Sequence, residues 1–404
     1  GAQGGDSMTN YVVVGNGIAG TTAAENIRKQ DMEGSITIVT EEDVPFYYRI
    51  RLNEYLSGDM TEEELIGKGE EWYRGHNITL KLNTRVSGAV PGEKILFTTD
   101  NERIGYDRLL LATGSHSFIP PIKGSDKKGV FALRSVRDAR DISSWAVEVE
   151  DIVLIGGGLL GLEAGNALRR LGKKVTVVEF FPRLLPRQLD VDGAGRLQKI
   201  MEGMGFSFRL GAKTEAIAGA NGVDGVQLEG GETLPARMVI ISAGVRPNME
   251  LAKDLGLEHD KGIKVNERLV TSSPHIYAAG DVAEYHGMPY GIWPAAMEQG
   301  KIAGTNMAGG DRVYQGTTMA NTLKVVGVDL ASAGNIDADN SLESKVVTDD
   351  TVYKKVVLEK DRIVGCIMLG NTKGFSRITK AMEEKLDVSG VKDDILSDHF
   401  DFKG

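Results

Sequence analysis

The chain has a single cysteine, Cys366, in 404 residues. One thiol forms no internal disulfide, which excludes a secreted disulfide framework, a dithiol redox centre and a cysteine-rich zinc or iron–sulfur site. No metal site is expected, and the expected setting is a reducing compartment, the cytoplasm. Basic residues are also in deficit, with 47 Lys and Arg against 57 Asp and Glu for a net charge of −10. That balance repels a phosphate backbone and argues against nucleic-acid binding. No apolar run approaches the roughly 20 residues that cross a bilayer, so no membrane span is expected. The stretch Gly1 to Ser7 ahead of Met8 has neither a basic region nor an apolar core. It reads as an expression scar rather than a signal peptide.

Glycine is abundant instead: 51 residues, about 13% against an average near 7%. Glycine and proline together stay well short of a low-complexity composition, so these glycines serve local geometry in a folded chain. Many of them belong to an internal repeat. Tyr11 to Val14 is an apolar β-type run followed by Gly15-Asn-Gly17-Ile-Ala19-Gly20 and a helix-compatible stretch from Thr21 to Gln30. A strand from Ser35 to Thr40 then ends in Glu41. Ile152 to Ile155 leads in the same way into Gly156-Gly-Gly158-Leu-Leu160-Gly161, a helical stretch to Leu171, and a strand from Lys174 to Val178 ending in Glu179. Short β-type segments follow each unit, about 78–106 and 208–234. Each half closes on an apolar strand and a small-residue turn, Leu109-Leu-Leu-Ala112-Thr113-Gly114 and Val239-Ile-Ile-Ser-Ala-Gly244. The same order in both halves indicates one architecture used twice, with an extra segment from Pro45 to Trp72 in the first copy.

A G-x-G-x-x-G that follows a strand, opens a helix and precedes an acid by some twenty residues is the context of a dinucleotide-binding turn. The first glycine makes the tight turn, the second lets backbone approach the pyrophosphate, and the third allows close helix–strand packing. Helix N-terminal amides then face the phosphates. Two such turns predict two dinucleotides, with Glu41 and Glu179 accepting ribose hydroxyls. A carboxylate at 179 repels a 2′-phosphate and points to NADH. Arg183 and Arg187 downstream keep NADPH as the alternative.

These residues resemble the two-dinucleotide flavoprotein reductases of the pyridine nucleotide–disulfide oxidoreductase superfamily, over almost the whole chain. His275-Ile-Tyr-Ala-Ala-Gly280-Asp281 is similar to that family's second flavin motif, and Trp293-Pro-Ala-Ala-Met-Glu-Gln-Gly-Lys-Ile-Ala-Gly304 to the helix that follows it. The resemblance implies FAD in the first unit, at Gly15, Gly17, Ala19, Gly20, Glu41, Arg49, Val86, Ala112, Thr113, Gly114, Gly280, Asp281 and Trp293. It implies NADH in the second, at Gly156, Gly158, Leu160, Gly161, Glu179 and Gly244. Glu163 matches a family glutamate that faces and positions the nicotinamide amide; an acid early in a helix also suits the helix dipole, and both readings stand.

Departures from the family define a branch. The stretch Tyr48 to Ser57, where the thiol enzymes carry cysteine, has none. Cys366 lies in the alternating run Ile363-Val-Gly-Cys-Ile-Met368 and reads as a buried small hydrophobe. Leu52-Asn-Glu54 stands where oxygenase ferredoxin reductases have a lysine. The strings Tyr47 to Glu54 and Asn321 to Leu330 look like NADH:rubredoxin reductases and the flavin modules of NADH-dependent nitrite reductases. A chain ending at Gly404, with no siroheme or iron–sulfur cysteines following, turns the expectation towards the former.

The expected fold class is α/β, with two Rossmann-like dinucleotide-binding domains and a small α+β C-terminal domain. An FAD domain takes 8–118 and 243–313, an NAD domain is inserted at 119–242, and the C-terminal domain covers 314–404, beginning with Thr318 to Leu330. In that last domain Val352–Glu359 and Arg362–Leu369 read as a hairpin about Lys360-Asp361, Phe375 to Leu386 as a helix, and Asp337 to Asp350 as loop or solvated face. The expected function is an FAD oxidoreductase that passes hydride from NADH to flavin and then electrons to rubredoxin or another small carrier protein. Arg49, Arg51, Lys324, Lys373 and Arg377 would form either a basic rim for an acidic carrier or, equally well, an ordinary solvated surface. The alternatives are an NADH oxidase or broad acceptor reductase, and an NADH-sensing interaction flavoprotein similar to apoptosis-inducing factors. A monomer and a homodimer are equally compatible with the sequence.

Overall fold

The computed structural model describes residues 8–317 and 320–402. The expected scar, the start of the C-terminal domain at Thr318 and the end at Gly404 lie outside them. The described chain forms two compact units, 8–52 with 60–116 and 245–317, and 53–59 with 117–244 and 320–402.

The first unit is built on a five-stranded parallel sheet in the order Ile276–Ala278, Arg108–Leu111, Asn10–Val14, Ser35–Val39, Ile78–Lys81. Its central strand reads as an unbroken apolar run because both faces are covered; Tyr11 to Val14 are all buried. The helix Ile18–Gln30 crosses between the first two strands and ends on Arg28 and Lys29, charges that suit a helix C-terminus. The buried Arg28 guanidinium donates to the carbonyls of His76, Asp31, Gly34 and Asn77 at 2.8–3.0 Å, fixing that end of the helix to two turns.

The second unit repeats the topology. Its parallel sheet runs Ser207–Leu210, Lys174–Glu179, Asp151–Ile155, Met238–Ile241, Val130–Phe131. Numbered within each repeat, both sheets share the order third, second, first, fourth. The fifth strand comes from later in the chain in the first unit and from earlier in the second. Each unit adds a three-stranded antiparallel sheet, Val86–Val90 with Ile95–Thr98 and Arg103–Gly105, and Thr214–Ala218 with Gly225–Leu228 and Thr233–Pro235. The expected α/β class with two Rossmann-like sheets is therefore observed.

The C-terminal part of the second unit is a five-stranded antiparallel sheet in the order Ala320–Val325, Val328–Gly334, Arg362–Leu369, Tyr353–Glu359, Glu343–Thr348, packed against the helix Phe375–Glu383. The hairpin about Lys360 and Asp361 is present, and both residues take positive φ, 51° and 60°, as a two-residue primed turn requires. Two details differ from the sequence reading. Asp337 to Asp350 is no simple loop: Glu343–Thr348 is an edge strand whose solvated side chains hide the alternation. Asp337 itself is buried, accepting the Ser341 and Leu342 amides at 2.9 Å, which hold its carboxyl below the usual range against burial. The closing helix stops at Glu383 because Lys385 turns to positive φ and the Leu386 amide returns to the Ala381 carbonyl.

Candidate functional site

Both glycine turns lie at the C-terminal ends of the strands, between the first and fourth strands of their sheets. That is the point where strand order reverses and where open α/β sheets bind ligands. In the first unit Gly15 has φ +112°, and a Cβ there would lie 2.0 Å from the Ala112 carbonyl oxygen. A Cβ on Gly20 would lie 2.1 Å from the Gly15 carbonyl oxygen. Gly17 is different: nothing stands within 4 Å of its missing Cβ, and as N-cap of the helix Ile18–Gln30 it offers no side-chain cap. The second unit has the same division. Gly156 at φ +120° would strike the Ser242 carbonyl at 2.0 Å and Gly161 the Gly156 carbonyl at 2.8 Å, whereas Gly158 has open space and leaves its helix uncapped. Two helix starts with bare amides and a clear approach fit a pyrophosphate each.

The remaining positions expected in the first unit belong to that same unit. Ala19 is buried in the first turn of the helix. Glu41, at the end of the second strand, is exposed and 3.6 Å from the Arg85 guanidinium, next to Val86 at the start of the antiparallel sheet. The turn Ala112-Thr113-Gly114 is held by Asn248, whose side chain donates to the Thr113 carbonyl at 2.6 Å and whose amide donates to the Gly114 carbonyl at 2.9 Å. Gly280 takes φ +86° and donates to the buried Gln299 side chain at 2.8 Å; Ser115 donates to the next residue, Asp281, at 3.4 Å. Arg49 donates to the Tyr47 hydroxyl at 2.9 Å and to Glu42 at 3.4 Å. Burial works against the Arg49 charge, but Tyr47, Glu42 and Asp281 outweigh it and raise the guanidinium pKa. Arg49 is thus half-buried in a network rather than presented on an open rim. Trp293 opens the helix Trp293–Met307, its ring 6.4 Å from Phe46 and 6.3 Å from Tyr48.

In the second unit Glu179 folds back on the glycine turn, accepting the Gly157 amide at 2.6 Å and the Phe181 amide at 3.3 Å. Leu160 is exposed in the first turn of the helix Leu159–Arg170, and Gly244 takes φ +91° in the turn after the fourth strand. Arg183 is committed: it donates to the Leu189 and Pro186 carbonyls at 3.1 and 2.9 Å and lies over the Phe181 ring. Glu163 accepts the Val326 amide of the C-terminal sheet at 2.8 Å, and burial raises its carboxyl pKa. Cys366 is fully buried in the C-terminal sheet, and burial pushes its thiol up to about 12.

Sequence reasoning missed several supports. Asn16 lies inside the fingerprint, where its buried carbonyl oxygen accepts Thr21 and Tyr73 hydroxyls at 3.1 Å while its amide nitrogen has no partner among the described residues. Its position within the turn was the available signal. Asn248 had none, since it acts on a glycine turn 135 residues away; Gln299 lies within the Trp293 to Gly304 string, though nothing there marks its bond to Gly280.

Two bare glycine turns on two parallel sheets of one topology give the chain the architecture of a two-dinucleotide protein. Residues 9–300 match the pyridine nucleotide-disulphide oxidoreductase family and residues 320–386 the rubredoxin NAD+ reductase C-terminal domain. The chain belongs to that oxidoreductase family. It is 38% identical over 383 residues to a nitrite reductase [NAD(P)H] of Bacillus subtilis, covering 94% of this chain and 48% of that protein. It is 29% identical over 386 residues to an NADH-rubredoxin oxidoreductase of Clostridium acetobutylicum, covering 95% and 97%. Among solved structures, a covalent putidaredoxin reductase–putidaredoxin complex superposes with a TM-score of 0.83 at 26% identity, covering 95% of this chain and 94% of that one. The chain spans about half the length of several curated relatives that it matches. Among the described residues no helix is long and apolar enough to cross a membrane, and no His, Cys, Asp and Glu side chains group to hold a metal ion.

Proposed function

We propose that this chain binds FAD at the first glycine turn and NADH at the second, and that it delivers electrons to a small carrier protein of the rubredoxin type. The observation that carries the reading is the pair of uncapped, open helix starts in a chain whose one thiol is buried. Flavin supplies the redox chemistry when bound: it takes two electrons with hydride and releases them one at a time. The protein's share is binding and orientation. Amides around Gly17 and Gly158 hold the pyrophosphates, Glu41 and Glu179 take ribose hydroxyls, and Arg49, Asp281 and Trp293 face the flavin end of the first site. Val86, beside Arg85, lines the adenosine end. Glu163 orients the nicotinamide amide with the oxygen not engaged by Val326.

Commitment of Glu179 and Arg183 supports NADH over NADPH, because the first repels a 2′-phosphate and the second is tied to backbone carbonyls. The domain division of the working protein follows the cofactors, with 8–118 and 243–313 around FAD, 119–242 around NADH and 314–404 as the C-terminal domain. A reducing, cytoplasmic setting fits a chain with one buried cysteine. Anaerobic mixing tests the reading: NADH bleaches the flavin absorbance faster than NADPH does. A chain that purifies without flavin and binds none refutes it.

The nitrite reductase relative favours a second reading, in which the same module serves a longer polypeptide and its acceptor is a redox centre of that assembly. A carrier-independent rise in rate on adding such a partner would identify it.

A further inference from the structure

The loop after Glu179 links the second glycine turn to the C-terminal sheet. Leu184, Leu185 and Leu189 are fully buried, and the Leu185 amide donates to the Gly157 carbonyl at 3.1 Å. Leu184 reaches within 3.0 Å of the missing Gly157 Cβ, so the loop backs the turn directly. The loop ends at Asp190, 3% exposed, which caps the helix Val191–Gly203 by accepting the Gly193 amide at 2.9 Å. The other Asp190 oxygen accepts the Tyr353 hydroxyl at 2.6 Å and the Lys355 ammonium at 3.0 Å. Lys355 is 1% exposed, and its remaining protons go to the Asp337 carbonyl and the Asn340 side chain, each at 3.1 Å.

A buried ion pair is weak evidence for stability, since an apolar replacement often serves as well; its attested use is to fix a register. Here the register is that of the C-terminal sheet against the nucleotide loop. A second contact lies on the other side of the turn, where Glu163, two residues past Gly161, accepts the Val326 amide. Val326 has φ +48°, a strained state for a β-branched residue, and is 3% exposed. Strain of that kind persists only where the surroundings over-determine it.

We propose that the C-terminal sheet holds the second glycine turn in its binding shape, with Asp190, Tyr353 and Lys355 as positioning residues for the pyridine nucleotide. This rests on the assignment of that turn to a nucleotide. The sheet is then part of the nucleotide site as well as of any carrier surface.

The test is calorimetric titration of the flavoprotein with NAD+, paired with amide hydrogen exchange, for Tyr353→Phe, Lys355→Met and Asp190→Asn with Lys355→Met. Tyr353→Phe and Lys355→Met are expected to weaken NAD+ binding by about fivefold or more, with the loss falling on KM rather than kcat. Exchange at 157–161 and 184–189 should quicken while flavin content per chain stays constant. The double variant keeps a cap on Gly193 and leaves no unpaired charge, so it should bind NAD+ more tightly than Lys355→Met and less tightly than the parent. Binding within about twofold of the parent in Tyr353→Phe and Lys355→Met, with Tm lowered, overturns the proposal and leaves the cluster as structural cement. If Lys355→Met does not accumulate, Tyr353→Phe, which removes one hydroxyl, decides alone. A parent chain that gives no NAD+ binding fails on the nucleotide assignment itself and takes the proposal with it.

Discussion

Gly15 and Gly17 stand two residues apart and answer different demands. The first is fixed by sterics within the protein, the second, in the proposed reading, by what approaches it. Gly15→Ala places a methyl 2.0 Å from a backbone carbonyl at φ +112°, which should cost about 4 kcal/mol or prevent folding. Gly17→Ala meets open space, so the flavin-free chain should keep its Tm to within about 2 °C while losing flavin. Thermal melts of the two apoproteins, with flavin retention alongside, check the contrast. Glu163 offers a pH test. Burial raises its carboxyl pKa, against the Val326 hydrogen bond, so the folded chain binds that proton more tightly than the unfolded one. The stability it contributes is full below the ordinary glutamate range and declines as pH rises through the folded-state value. Glu163→Gln should flatten Tm against pH in that window; an unchanged slope would assign the dependence elsewhere. Cys366 is the reverse case, a fully buried thiol that the proposed reading leaves out of the chemistry. Cys366→Ala should leave carrier reduction intact at a cost of about 1–2 kcal/mol, and the folded parent should resist alkylation at neutral pH.

At the scale of elements, the helices Ile18–Gln30 and Trp293–Met307 approach so closely that a Cβ on Gly300 would lie 2.4 Å from the Ala19 carbonyl oxygen and one on Gly304 2.3 Å from that of Ala23. Gly304→Ala should force the pair apart, lowering stability by about 2–4 kcal/mol with release of flavin, measured by urea unfolding and absorbance. The Lys360-Asp361 turn is the opposite opportunity. Exposed Lys360→Asn suits the left-handed state and should raise stability by about 0.5 kcal/mol without touching activity. Legibility in the sequence follows the same division. Glycine turns, parallel strands and the 353–369 hairpin are local patterns with fixed spacing, and they read directly. The edge strand Glu343–Thr348 did not, because a solvated strand paired along one edge only carries no buried alternation.

For the whole molecule, the invisible part of the site is what holds the turns in place. Asn248 reaches Thr113 across 135 residues and Lys355 reaches Asp190 across 165. No periodicity links such pairs, and Asn and Lys at those points look like ordinary surface residues in sequence. Doubling of one topology, by contrast, was plain from the repeat, and with it the likeness to reductases that use two nucleotides. The central claim is that the flavin passes electrons from NADH to a carrier protein without a thiol. The direct measurement is anaerobic stopped-flow reduction of rubredoxin by the NADH-reduced chain, with oxygen consumption measured separately. The account predicts carrier reduction faster than oxygen reduction and undiminished in Cys366→Ala. Carrier reduction no faster than oxygen reduction, or lost with the thiol, would contradict it.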